Sequence, residues 1–437
     1  MIKVNISATA ALLLIFALYL SDSRGATSVH ELTIVYTGGL NGELEPCGCA
    51  EESDVGGIRR RATVIDQLRQ HNENMILISG GGLISSNSWQ DKIKAGYIFS
   101  AIKMMAYDSV SVQWRDLAFG EGFTQSGNIP WVTSNWAGNG FEKVQSIERG
   151  DTVISVFSWL DDDTAPETEP NRLAATVAKS PIAFNQKLLQ AKQRGEVTIL
   201  TTTADISKVE QNISLSHVDI LLLPSSNEKY EDPRFVNETL VLNYGTRGMR
   251  VGKLTIEIDG GVILNTIQHE VFTLDNSVND SPHFDSWYEQ YNNEARNQYY
   301  ARLEFNQAES SGVSKFVGAS GCAGCHEKEH AIWSNSNHAA AFKVLQLVSK
   351  QFDPSCIGCH SVGFEKPGGF IDMSATEHLA NVQCESCHGP ARDHFSSGGI
   401  QATSNSALSS QQICQQCHVG DHSPKFEFEN YWPRIAH

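Results

Sequence analysis

Four copies of Cys-x-x-Cys-His fix the character of the last third of this chain. They are Cys322–Cys325–His326, Cys356–Cys359–His360, Cys384–Cys387–His388 and Cys414–Cys417–His418. The pattern is the attachment signature of c-type haem. Two thiols add to the two porphyrin vinyl groups, and two intervening residues let both sulfurs reach one edge of the ring. The adjacent histidine then lies under the iron as proximal ligand. A zinc ribbon or a disulfide cluster also uses paired cysteines, but neither needs a histidine after each pair. The motifs take eight of the ten cysteines, leaving Cys47 and Cys49. The expected cofactor content is four covalently bound haem c groups.

The histidines support the same reading. Of the 15 in the chain, those from His326 onward include the four proximal residues and six others: His330, His338, His378, His394, His422 and His437. Four irons need at most four distal ligands, so each of the six is a candidate. Paired axial histidines favour electron transfer, whereas an iron without a distal histidine is open to a small ligand.

The first two thirds follow another pattern. ELTIVYTG reads as a strand, RRRATVIDQLRQH as a helix, NMILISGGG as a strand ending in glycines, KAGYIFSAIKMMAY as a helix and DSVSVQW as a strand. EVTILTTTA, HVDILLLPSS, TLVLNY and GKLTIEIDGGVIL continue the series. Apolar runs separated by glycine turns and helices predict a layered α/β domain. Residues 283–313 are polar, punctuated by aromatics and read as one connecting helix, ending at Ser310-Ser311-Gly312. The predicted organisation is a signal peptide over 1–26, an α/β domain over 27–282, a helical linker over 283–313 and a haem domain over 314–437.

The signal peptide rests on Lys3 followed by the apolar run Ala8 to Leu20. That run is shorter than the roughly 20 residues a spanning helix needs, which fits an export signal rather than a stable transmembrane anchor. The expected location is the periplasm or the extracellular space. A net charge of −17 argues against nucleic acid and anionic membranes as partners. It suits a basic redox partner protein.

The stretch FVGASGCAGCHEKEHAIWSNSNHAAAF, with NVQCESCHGPARDH further on, resembles the cytochrome c-554 type of tetrahaem electron carrier over about residues 315–437. The resemblance implies a mostly helical fold around closely packed haems. It also implies distal roles for His338 on the haem of His388, His394 on that of His418 and His378 on that of His326. In the resembled carrier the second haem lacks a distal histidine; here His437 or His422 is available for that place. His330 reads as a packing or surface residue.

The segments YTGGLNGELEP, GGIRRRATVIDQLR, ILISGGGL, AYDSVSV, VDILLLPSS and LVLNYGTRGMRVGKLTIEI resemble the 5′-nucleotidase branch of the calcineurin-like metallophosphoesterases over about residues 31–270. That branch hydrolyses phosphate esters with two metal ions held by Asp, His and Asn ligands. At the ligand positions this chain has Gly39 and Asn41, Gly82, then Trp114, Arg115 and Asp116, then Ser225 and Asn227. The resemblance therefore implies the fold without the phosphoesterase activity. Cys47-Gly48-Cys49 follows the first of these segments, as in a subgroup suspected of redox function. Two thiols one residue apart can form a strained, oxidising disulfide, hold a soft metal or brace the loop. The arginines Arg59, Arg60 and Arg61 read as a solvated helix face.

The leading expectation is an exported tetrahaem electron carrier with a catalytically degenerate phosphoesterase-like domain. Three alternatives stay open: a multihaem oxidoreductase with one open haem, a subunit of a haem-conducting filament or other homo-oligomer, and a thiol-linked redox protein working through Cys47 and Cys49.

Overall fold

The computed structural model describes residues 29–47, 54–165, 177–225, 231–259, 261–309, 314–348, 350–419, 423 and 425–437. The predicted signal peptide, Cys49 and His422 lie outside these residues.

Two six-stranded sheets form the centre of the N-terminal domain. The strands are β1 (His30–Thr37), β2 (Pro46–Cys47), β3 (Val55–Gly56), β4 (Met75–Ser79), β5 (Ser109–Ser111), β6 (Trp131–Val132) and β7 (Gln145–Arg149). They continue as β8 (Thr152–Trp159), β9 (Val197–Thr202), β10 (Ile220–Leu223), β11 (Arg234–Val236), β12 (Thr239–Asn243), β13 (Arg250–Asp259) and β14 (Val262–Thr273). One sheet runs β14-β13-β1-β4-β5-β6, the other β11-β12-β10-β9-β8-β7, and β2 pairs with β3 in a small hairpin.

Alternation along the strands sorts side chains between layers. Leu32, Ile34 and Tyr36 of β1 and Ile76 and Ile78 of β4 face the second sheet, where Ile154, Val156, Ile199, Ile220 and Leu222 meet them. Val35 and Leu77 point the other way, onto helices α1 (Ile58–His71) and α2 (Trp89–Met104). The outer face of the second sheet is covered from α4 (Ile182–Gln193) and α5 (Ile206–Asn212), with Phe184, Leu188 and Val209 on Phe157, Leu200 and Leu221; α3 (Glu121–Ser126) is a short connector. The result is a helix–sheet–sheet–helix sandwich, the layered α/β domain that the apolar runs predict.

Helix α6 (Asp285–Glu309) joins this domain to the next. Trp287, Tyr291, Ala295 and Tyr299 recur every fourth residue and form a buried stripe. Trp287 donates its indole N–H to Tyr97 O (3.1 Å) and Ser100 Oγ (2.8 Å) on α2. Further along, the Tyr299 hydroxyl donates to Ile371 O in the C-terminal domain. The aromatics of the linker are thus packing residues between the two domains.

The C-terminal domain is a chain of short helices: α7 (Ala319–Cys322), α8 (Glu327–Ser334), α9 (Ala341–Leu347), α10 (Pro354–His360), α11 (Cys384–His388), α12 (Arg392–Ser396), α13 (Ser410–Cys414) and α14 (Phe428–Tyr431). Its apolar core holds Phe316, Phe342, Leu345, Phe352, Ile357, Val362, Phe370 and Leu379. None of the described helices is long and apolar enough to cross a membrane.

Candidate functional site: the histidine and cysteine cluster

Each Cys-x-x-Cys-His motif sits on or beside a helical turn. Cys325 N and His326 N both donate to Cys322 O (3.2 and 3.0 Å), and Cys417 N and His418 N both donate to Cys414 O (3.2 and 2.9 Å). On such a turn residues three and four apart share a face, so the two sulfurs and the histidine of one motif converge. Cys322 and Cys384 lie close enough to shift each other's ionisation, and so do Cys359 and Cys417. The first motif therefore sits beside the third and the second beside the fourth. All eight thiols are free of disulfides.

Three pairs of imidazole rings face each other: His326 and His394 at 6.1 Å between centroids, His338 and His418 at 6.1 Å, and His388 and His437 at 5.8 Å. An imidazole nitrogen binds a first-row metal at about 2 Å; two such bonds in line, plus the two ring radii, place the centroids roughly 6 Å apart. Each pair has the spacing to grip one metal ion.

The protonation pattern fits the same use. A carbonyl oxygen only accepts, so a ring nitrogen facing one carries the proton. Nδ1 of His360 donates to Ala341 O (2.7 Å), Nδ1 of His394 to Gln401 O (2.6 Å) and Nδ1 of His437 to Ile435 O (2.9 Å). In neutral imidazole this leaves Nε2 as the lone-pair donor, the arrangement metal-bound histidines adopt. Burial pushes His418 toward the neutral form. Burial does the same to His338, helped by His418 and His360, and to His388, helped by His437, His326 and His394. The donor set, its tautomers and its spacing fit haem iron.

The pairing differs from the one the resemblance implies. His338 faces His418 rather than His388, His394 faces His326 rather than His418, and His437 faces His388 rather than His360. His338 follows His326 by one short helix, α8, and a turn, which carry it across to the fourth motif. His378 makes no ring contact with another histidine among the described residues; its carbonyl accepts from Gln383 Nε2 (2.8 Å) and its ring edge lies beside Gly318. No second imidazole faces His360 among the described residues. His330 packs on Trp333, with centroids 5.3 Å apart.

Sequence reasoning missed two residues that tie the motifs together. Glu385, between the cysteines of the third motif, is buried and accepts from Val317 N (2.9 Å), Gly318 N (2.8 Å) and Ala391 N (2.8 Å). Gln383 accepts from Ala319 N (2.6 Å) and donates to Ala380 O (2.6 Å). They lock the third motif onto the first. Their signal in the sequence was slight, because an acid inside CESCH reads as one of the free positions of the signature.

In the N-terminal domain the positions matching phosphoesterase ligands have been filled. The Tyr244 ring lies in the groove between Gly38 and Gly80; a Cβ at either would come within 2.4 and 2.3 Å of it. The Tyr244 hydroxyl accepts from Gln113 Nε2 (2.7 Å), which also donates to Gly80 O (2.8 Å). A Cβ at Gly82, the place of the bridging carboxylate, would lie 2.8 Å from Gln113 Oε1. Asn41 Nδ2 donates to Thr246 Oγ1 (3.0 Å). Asp116, fully buried, is spent on backbone: it accepts from Gly82 N (2.9 Å), Leu83 N (2.6 Å), Ile84 N (3.3 Å) and Gln113 N (2.9 Å). Burial pushes its carboxyl up to about 6 against these four bonds. No group of three or more His, Cys, Asp or Glu that could hold a metal ion occurs among the described residues.

The arginine run is not a solvated face. Arg59 pairs with Asp280 (2.7 Å) and lies over Tyr288 (4.4 Å), and Arg60 pairs with Asp54 (3.0 Å). Arg61 is 1% exposed, and none of its three guanidinium nitrogens has a hydrogen-bond partner among the described residues. Cys47 is paired with Val55 in the β2–β3 hairpin, through the backbone.

Residues 321–389 match the family described as cytochrome c554 and c-prime. Cytochrome c-554 of Nitrosomonas europaea is 35% identical over 102 residues, which covers 19% of this chain and 43% of that protein. Snake venom 5′-nucleotidase of Naja atra is 29% identical over 87 residues, covering 19% of this chain and 16% of that protein. The chain thus spans less than half the length of either curated relative. A solved 5′-nucleotidase precursor of Thermus thermophilus superposes with a TM-score of 0.51 at 14% identity, covering 61% of this chain and 59% of the other. That likeness establishes the fold of the N-terminal domain. The chain is a fusion of a 5′-nucleotidase-like fold with a cytochrome c554 domain.

Proposed function

We infer that a chain joining a 5′-nucleotidase-like fold to a cytochrome c554 domain is an exported electron-transfer protein with four haem c groups, its first domain retaining the phosphoesterase fold without the chemistry. The observation that carries this is the set of three facing imidazole pairs, each containing one motif histidine and one distant histidine. When bound, haem c supplies a one-electron store at each motif. The residues of the chain do the rest. Cys322 and Cys325, Cys356 and Cys359, Cys384 and Cys387, and Cys414 and Cys417 hold the porphyrins. His326, His360, His388 and His418 would be the motif ligands to iron, and His394, His437 and His338, which face His326, His388 and His418, would be the second ligands. The close approach of Cys322 to Cys384 and of Cys359 to Cys417 supports short distances between neighbouring carriers.

A second reading, small-ligand chemistry at one iron, is favoured by His360: its Nδ1 is anchored on Ala341 O while no described histidine faces it. The exported location rests on Lys3 and the Ala8–Leu20 segment. Electron transfer to a basic partner protein rests on the net charge of −17.

Pyridine haemochrome counting and electron paramagnetic resonance on the protein purified from a haem-maturing host test the proposal. Four covalent haems, three low-spin and one high-spin, are expected. Fewer than four haems, or sulfurs joined to one another or to zinc, would end it.

A further inference from the structure

The segment that leads into the second motif is fixed to the N-terminal domain by charged and polar side chains. Asp353 caps α10, accepting from Ser355 N (3.0 Å) and Ser355 Oγ (2.6 Å), and α10 carries Cys356, Cys359 and His360. Asp353 is 7% exposed and also accepts from Gln90 Nε2 of α2 in the N-terminal domain. Lys350, 8% exposed, bonds to Glu45 Oε2 at 2.5 Å, just before the β2–β3 hairpin, and lies over Tyr288 (5.6 Å) and Tyr291 (5.4 Å) of α6. Arg296 of α6 covers Phe352 at 5.0 Å. Burial pushes the Asp353 carboxyl up, but Lys94 of α2 and Lys350, with Ser355 and Gln90, outweigh it and hold the group below its ordinary value. Among the described residues, the side-chain bonds around the other three motifs stay within the C-terminal domain, on Gly318, Glu385, Gln383, Asn405 and Ser423.

We propose that the nucleotidase-like domain is the redox-tuning partner of one haem site, that of His360, acting through the Gln90–Asp353 and Glu45–Lys350 contacts. This rests on the four-haem reading. Asp353 is a positioning residue: it touches neither the iron nor its ligands, but it fixes the first turn of the helix that bears them. It also places a buried negative charge three residues from Cys356. Ferric haem carries one more positive charge than ferrous haem, so an ionised carboxylate in a poorly screened setting favours the ferric form. The lysines oppose it. The N-terminal domain sets the balance, since Gln90, Lys94 and Glu45 all belong to it. A domain whose metal positions are filled by Tyr244 and Gln113 thereby has a use for its surface.

The experiment is a spectroelectrochemical titration of the full-length holoprotein, with the His360 haem identified by its high-spin signal and by carbon monoxide binding. Asp353→Asn and Glu45→Gln should raise the reduction potential of that haem, and Lys350→Met should lower it. Each shift should reach about a tenfold change in the reduction equilibrium, about 59 mV for one electron. The other three potentials should stay in place, and Asp353→Glu should restore the wild-type value. Shifts of opposite sign from Asp353→Asn and Lys350→Met separate a charge effect from loosened packing, which would move both in one direction. Four haems with unmoved potentials, or with all four potentials moved together, would overturn the tuning role. A haem count below four in the wild type would instead overturn the reading beneath it. If Asp353→Asn fails to mature because the helix cap is lost, Glu45→Gln and Lys350→Met decide by the same signs.

Discussion

Replacing His437 by alanine should open one haem and leave the rest of the molecule in place. The side chain is exposed, its Nδ1 donates to Ile435 O (2.9 Å), and its ring faces His388 at 5.8 Å. The polypeptide itself loses no buried contact, so the cost should fall on the iron bond that His437 would make and the rest of the fold should persist. The magnitude lies in the iron count. On the four-haem reading, with three facing pairs and no described histidine opposite His360, one iron in four should be high-spin and one carbon monoxide should bind per chain. Removing His437 makes this two in four and two per chain. His338→Ala and His394→Ala should each do the same at the irons of His418 and His326, and all three together should bring the stoichiometry to four. His378→Ala should change nothing, because its ring faces no other histidine among the described residues. Carbon monoxide titration followed in the Soret band, with electron paramagnetic resonance of the ferric protein, gives both numbers. A wild type that binds no carbon monoxide, or a His378→Ala variant that gains a site, would refute the pairing.

Four further outcomes follow from the N-terminal domain and its junction. Asp116→Asn sets an amide N–H against backbone N–H groups that now donate to a carboxylate, and should cost about 2–4 kcal/mol, read as a lower urea midpoint at unchanged slope. Arg61→Met removes a buried guanidinium without a partner among the described residues and should stabilise the protein by about 1–4 kcal/mol, by analogy with buried charges replaced by apolar side chains; a lower midpoint would mean that Arg61 meets a counter-ion in solution. Tyr244→Ala empties the groove between Gly38 and Gly80 at a cost of about 3–5 kcal/mol. It should yield no manganese- or zinc-dependent hydrolysis of p-nitrophenyl phosphate, because Gly39, Asn41 and Gly82 supply no carboxylate or imidazole. Asp353 is held below its ordinary value, so its stabilising share is complete above the unfolded value of about 3.9 and is lost as pH falls through the folded value. Limited proteolysis at the interdomain junction should therefore quicken below about pH 4 in the wild type, and Asp353→Asn should remove that step.

Much of this architecture could be read from residue order, because the physics involved is local. β1, β4, β12 and β13 announce themselves as apolar runs ended by glycine or asparagine, β9 and β10 as apolar runs ended by Ala204-Asp205 and Pro224, and α1 begins at the arginine run after Gly56-Gly57. The cysteine motifs need only a helical turn to converge, so their spacing alone carries them. Distal partners are another matter. His338 lies closer in sequence to His360 and His388 than to His418, yet the path of α8 and the turn after it brings it to His418. No periodicity encodes that path. Gln90, Glu45 and Asp353 were equally silent, since each reads as an exposed polar residue until two domains close over it. Arg61 misled for the opposite reason. Its neighbours Arg59 and Arg60 do reach carboxylates, and a run of three arginines reads as one face although a helix turns about 100° at each residue.

The burial pattern bears on how the C-terminal domain folds. Between Arg392 and His437 no described residue is buried, and Phe395, Ile400, Leu408 and Val419 are exposed. Apolar side chains that the polypeptide leaves uncovered give that stretch little driving force of its own. What order it has gathers on ligand residues: Phe426 stacks on His418 at 4.6 Å and Tyr431 meets the same ring edge-on at 5.8 Å. Porphyrin faces would supply the missing apolar contact, so attachment and folding of this segment should be coupled, as metal binding and folding are in small metal-stapled domains. The sandwich is the contrary case. It buries its own strands between helices and keeps its fold after its metal ligands have gone. That asymmetry explains why the pieces work as a fusion. A self-sufficient domain can hold the Gln90 and Glu45 side chains against which α10 is set, whereas on the four-haem reading the stretch after Arg392 would gain its order only with its haems.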